Sequence, residues 1–108
     1  MDWKRVDELK AEIGEDDLAE VVEIFFEEVA EAVDRLSAAE GEDELAATLH
    51  FIKGCALNLG LASLAGACAE GERAVSAGAP DSVDPAAIRA RFEEGQEALR
   101  RALQTAAA

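Results

Sequence analysis

Apolar residues recur along this chain at intervals of three and four, and glycine and proline interrupt the rhythm at a few joints. In "EDDLAEVVEIFFEEVAEAVDRLSAAE", Leu18, Val22, Phe25, Val29, Val33 and Leu36 hold one side over several turns, the 3.6-residue signature of an amphipathic helix. The segment begins with acids, which the positive end of a helix dipole favours. Upstream, "DWKRVDELKAEI" predicts a short helix ended by Gly14, because a left-handed residue after the last turn is easiest for glycine. A third helix is predicted from Glu42 to Leu59, with Gly60 as its terminator. Leu61, Leu64, Cys68, Gly71 and Val75 carry the pattern through a fourth helix until "GAPDSVDP" breaks it. Asp84 followed by Pro85 is an N-cap and first-turn pair. The last helix is expected to bury Ile88, Phe92, Leu99 and Leu103 and then fray into an alanine tail.

No segment sustains period-two alternation, so no sheet is expected. Four long helices with short connections pack most simply as an antiparallel up-down four-helix bundle, with the short extra N-terminal helix laid across one end. The fold class is therefore all-α. Residues 1–108 read as a single domain, since a chain of 108 residues supports one core but not two, and there is no repeat or low-complexity linker.

Turning the third helix at about 100° per residue separates two faces. Leu45, Thr48, Leu49, Ile52, Cys55, Ala56 and Leu59 gather on one, the expected core side. The only histidine, His50, falls opposite, with Asp43, Ala46, Ala47, Lys53, Gly54 and Leu57 around it. Most of these neighbours are small, and Leu57 is a large apolar residue turned outward. Glycine inside a helix costs about 1 kcal/mol relative to alanine. Gly54 lies away from the core, so packing inside the bundle does not account for it, whereas room for something docking from outside does. Gly71, on the core side of the fourth helix, reads instead as a point of close helix packing.

Charge narrows the functional classes. With 24 acids against 10 bases the formal net charge is −14, a field that repels phosphate backbones and anionic membranes, so nucleic-acid binding is not expected. No apolar run approaches the roughly 20 residues of a membrane span, and "MDWKRVDELK" is charged rather than signal-like; a cytoplasmic protein is expected. Cys55 and Cys68 show no close-spaced ligand pattern, which points to reduced core thiols rather than a metal or redox pair. Lys53 is the only base between Arg35 and Arg73. Three residues from His50, its ammonium can reach the space at the imidazole tip. There it would disfavour imidazolium, keeping a nitrogen lone pair available, and would offset the charge of an arriving phosphoryl group.

His50, Ile52, Lys53, Gly54, Leu59 and Gly60 in "HFIKGCALNLG" resemble the signature of histidine-containing phosphotransfer (HPt) domains, approximately H-x-[L/I]-K-G-small-small-x-x-apolar-G. Length and helix order agree along the whole chain, although only this stretch is sequence-specific. Position 55, often Ser or Ala in the family, is Cys here, one small residue for another. The resemblance implies a helical bundle whose histidine accepts a phosphoryl group from a receiver-domain aspartate and passes it to another. It makes His50 the phosphoacceptor, Lys53 the phosphate-neutralising neighbour and Gly54 the gap that admits the receiver, while Gly60 ends the helix and turns the chain.

The expected mechanism is in-line attack by neutral imidazole on an acyl phosphate. Only Asp43 lies near His50 on the helix, about two turns back, so no metal site and no cofactor are expected in this chain. Mg²⁺ is expected in the partner receiver, and the protein is a carrier completing a shared site rather than an enzyme. The partners implied are response-regulator receiver domains, a hybrid histidine kinase, or both. Docking is assigned to an apolar patch of Ala46, Ala47, Phe51, Leu57 and Asn58. Two other readings stand beside this one: an acidic helical adaptor that binds through the His50 face without phosphorylation, and a phosphoacceptor domain excised from a chemotaxis-type kinase. The opening Met and the alanine tail favour a free-standing protein, and a monomer is expected because no second large apolar stripe is left over. A kinase or hydrolase is disfavoured, since there is no G-x-x-x-x-G-K loop and no acid–base pair beside His50.

Overall fold

The chain of the computed structural model is helical from near its start, with backbone described for residues 1–107 and side chains for residues 1–104. Among the described residues there are five α-helices, α1 (Trp3–Ile13), α2 (Glu15–Ala38), α3 (Glu42–Leu59), α4 (Ala62–Ser76) and α5 (Pro85–Ala107), with a 3₁₀ turn at Pro80–Ser82 and no strand. α2 packs against α3 and α5, and α4 against the same two, which closes a ring around the core; α1 rests on α2 and α3.

Several ends form where local chemistry satisfies the first amides or last carbonyls of a helix. Asp84 Oδ1 accepts from the Ala86 amide at 3.0 Å, with Pro85 as the first helical residue of α5. Asp2 caps α1 by accepting from the Arg5 amide. Gly60 sits in the left-handed region at φ 76°, and the Leu61 amide reaches back to the Ala56 carbonyl at 2.8 Å, the six-to-one bond of a Schellman end. The expected fraying does not show in the backbone of α5, which is helical through Ala107, and Ala108 lies outside the described residues.

The core largely follows the apolar stripes, and its deviations have physical causes. α2 buries Phe26 rather than the expected Phe25, which is half-buried. Phe26 meets Phe92 of α5 edge-on, with ring centroids 6.1 Å apart, and Arg100 lies 5.1 Å over its ring, so the neighbouring helix decides which phenyl turns inward. Leu45, Val75 and Leu103 are half-buried at the margins instead of fully enclosed. Thr48, the buried polar residue of α3, donates its hydroxyl to the Glu44 carbonyl at 2.9 Å. Both cysteines are free and buried; burial first, then Glu72, pushes the Cys68 thiol up to about 12.

Candidate functional site: the outer face of α3

The site begins with the way α3 divides its two faces. Thr48, Leu49, Ile52, Cys55, Ala56 and Leu59 are buried, which turns His50, Ala47, Gly54 and Leu57 to solvent on the other side. The His50 side chain is 75% exposed. Nothing lies within 4 Å of where a Gly54 Cβ would stand, so the glycine is not required by any contact inside the molecule. Leu57 is 59% and Phe51 41% exposed; Ala46 and Lys53 are half-buried.

Asn58, assigned to the docking patch from sequence, is half-buried and engaged by α1. Arg5 Nη2 donates to its Oδ1 at 2.8 Å and Arg5 Nε to its backbone carbonyl at 3.0 Å. The Asp2 amide donates to the Gly60 carbonyl at 2.7 Å. Together these bonds fasten α1 to the C-terminal end of the histidine helix.

One residue at the site is absent from the sequence reading. Glu72 of α4 reaches across to α3, with Oε1 2.8 Å from Lys53 Nζ and Oε2 3.4 Å from His50 Nδ1. Next to it, Gly71 packs closely on α3: a Cβ there would stand 3.1 Å from Leu49 Cδ1, so any side chain would require Leu49 to give by a few tenths of an ångström. The Lys53 charge is met by a carboxylate whose other oxygen stands beside the imidazole.

The electrostatics follow from this arrangement. Contact with Lys53 holds the Glu72 carboxyl below its ordinary range, against the opposing effect of partial burial and with His50 adding to the lowering. The ammonium lies at ion-pair distance but off the line of an aligned hydrogen bond, and Oε1 is closed to solvent. Such an oxygen depends on nearby positive charge, since a buried charge without a partner is costly. Oε2 stands 3.4 Å from Nδ1, close but without an aligned hydrogen bond; a neutral ring with its proton on Nδ1 has its lone pair on Nε2.

Among the described residues, no three His, Cys, Asp or Glu side chains gather as metal ligands, and no helix is long and apolar enough to cross a membrane. A family model described as Hpt domain matches residues 20–108, which leaves α1 outside the matched region. No curated protein and no solved structure matches the chain.

Proposed function

Because this chain belongs to the Hpt domain family, whose members carry out histidine phosphotransfer in phosphorelays, we propose that it is a phosphoryl carrier in which His50 accepts the group from a receiver-domain aspartyl phosphate and hands it to another receiver. The observation that carries the reading is an exposed imidazole whose Nδ1 side is occupied by Glu72, which leaves Nε2 as the free nucleophile. The up-down order of α2 to α5 and the single-domain organisation belong to the same reading.

In the transfer, the Nε2 lone pair attacks phosphorus opposite the aspartyl oxygen. The P–Nε2 bond forms as the P–O bond breaks, and the departing carboxylate keeps the bonding electrons. Charge concentrates on the three equatorial oxygens. Lys53 is the cation this chain supplies to them; Mg²⁺ and the remaining stabilisation come from the receiver, which makes the chain half of a shared site and not an enzyme in itself. Exposed Phe51, Leu57 and Ala47, with Ala46 and Asn58 at the margin, form the surface the receiver covers. That surface is small, which suits a carrier that must release one partner before meeting the next. The carrier works where receivers are found, in the cytoplasm.

The test is to mix the purified protein with phosphorylated receivers. An acid-labile, base-stable label on the wild type, absent from His50→Gln, is the expected result. Label retained by His50→Gln, or receiver binding with no label on the wild type, would overturn the proposal.

A further inference from the structure

The acids of α2 divide by the helix they face. Glu23 and Asp34, on the α5 side, pair with Arg100 and Arg89. Glu28 lies on the α3 side: burial first, and then the charge of Glu28, raises the Cys55 thiol, which puts the carboxylate beside the residue that follows Gly54. Ile24 and Glu31 stand about one turn before and after Glu28 on the same side of the helix, and all three are exposed. Among the described residues, neither Glu28 nor Glu31 has an ion-pair partner. This flank combines an apolar side chain with free carboxylates, as the rim of a docking surface does.

The bases are distributed the other way. α5 carries four against three acids, whereas α2 carries one against nine and α3 one against three. In the ring of helices α5 is separated from α3 by α2 and α4, so its small surplus of positive charge lies away from His50. Lys53, the base of α3, is paired with Glu72 at 2.8 Å. The α4 border of the site adds exposed Glu70 and Arg73, one charge of each sign. On α2, Arg35 lies two turns past Glu28, near the turn into α3. The surface around His50 is thus balanced on its α4 side and acidic on its α2 side.

We propose that the receiver this surface fits carries lysine or arginine side chains on the side of its phosphorylated aspartate that covers α2, where they meet Glu28 and Glu31, while apolar residues cover Phe51 and Leu57. This rests on the phosphotransfer reading and adds to it the chemistry of the partner. The aspartyl phosphate arrives with negative charge, and the chain it approaches has a net charge of −14. That field repels an acidic docking surface and draws in a basic one. Because only one border is acidic, the attraction also favours one orientation over its reverse. Exposed ion pairs add little to the lifetime of a complex, so the attraction speeds encounter without delaying release, which a carrier between two partners requires.

Receiver domains of known structure, chosen with basic or with acidic surroundings to the phosphorylated aspartate, are the probes, and their association with this protein is timed by stopped flow. The basic set is expected to associate faster, with a rate constant that falls about tenfold between about 0.01 M and 0.1 M salt, as the screening length shrinks from about 30 Å to about 10 Å. The double variant Glu28→Lys/Glu31→Lys is expected to associate at least about tenfold more slowly with them at low salt, the gap closing near 1 M. Glu93→Lys/Glu94→Lys, which makes the same change of net charge on exposed positions of α5, is expected to cause no slowing. Equal rates for the wild type and the α2 variant overturn the inference, as do equal slowing by both variants or association that quickens with salt. These readings come from binding and leave phosphotransfer standing if His50 is labelled. A receiver that associates as described and never labels His50 overturns the phosphotransfer reading alone, and no association with any receiver overturns both.

Discussion

Gly54 separates what a position does for the fold from what it does for a partner. Open space surrounds its missing Cβ, and its backbone is not in the left-handed region. Gly54→Ala is therefore expected to stabilise the free protein by roughly 0.5–1 kcal/mol through helix propensity, read as a rise in thermal midpoint. Gly54→Leu, which fills the approach to His50, is expected to slow transfer from a receiver at least about tenfold, roughly 1.4 kcal/mol in the barrier, with the circular dichroism spectrum unchanged. A loss of stability in Gly54→Ala would show that the residue serves internal packing after all. The histidine itself was readable from the sequence because helical geometry alone sends position 50 away from Leu49 and Ile52. Glu72 was not, because nothing in "AEGERAV" marks one glutamate among 24 acids.

At the level of helices, α3 and α4 form a hairpin about Gly60, and two glycines set its geometry. Gly60 has φ 76°, and a Cβ there would stand 2.7 Å from the Asp2 carbonyl. Gly60→Ala is thus expected to cost about 1–3 kcal/mol from backbone strain alone, with the clash loosening α1 in addition; denaturant midpoints and amide exchange in α1 measure the two effects. Counting outward from this turn places Leu49 opposite Gly71, eleven residues to either side of Gly60. The same count pairs His50 with Glu70, so it does not select Glu72; the rotation of α4 against α3, which brings Glu72 to Lys53 and His50, is not carried by the count.

The α1 attachment is also decided between elements. Arg5→Ala removes two donors to Asn58, and hydrogen bonds involving charged groups are worth about 1.5–3 kcal/mol at most sites. Faster amide exchange in α1, with the α4–α5 core still protected, is the expected result. Uniform loosening of every helix would mean that α1 is integral to the bundle instead of fastened onto it.

Over the molecule as a whole, the charge of −14 sets the response to solution conditions. Like charges repel across a compact body, and the screening length falls from about 30 Å at 0.01 M salt to about 3 Å at 1 M. Salt is therefore expected to raise the thermal midpoint; a fall would show that the Glu23–Arg100 and Asp34–Arg89 pairs between α2 and α5 outweigh the general repulsion. Acid acts on particular pairs. Glu72 and Glu23 both have lowered pKa values in the folded chain, through Lys53 and Arg100 respectively. A lowered folded value means stability that is fully present above the ordinary glutamate pKa of about 4.3 and is lost as pH falls through the folded value. In an acid titration of stability, Glu72→Gln is expected to flatten the loss below about pH 4.3; an unchanged acid limb would remove the pair from the account.

Periodicity and punctuation determined the helices, most of the core and the direction of His50, because each follows from the 100° step of a single helix and from local rules for starting and stopping it. Contacts between helices decided the rest. Phe26 rather than Phe25 turned inward to meet Phe92, Asn58 was engaged by Arg5, and the lone cation beside the histidine acquired a carboxylate from α4. Each of those outcomes depends on the distance and rotation between two helices, and no stretch of chain carries that information until the other helix is in place.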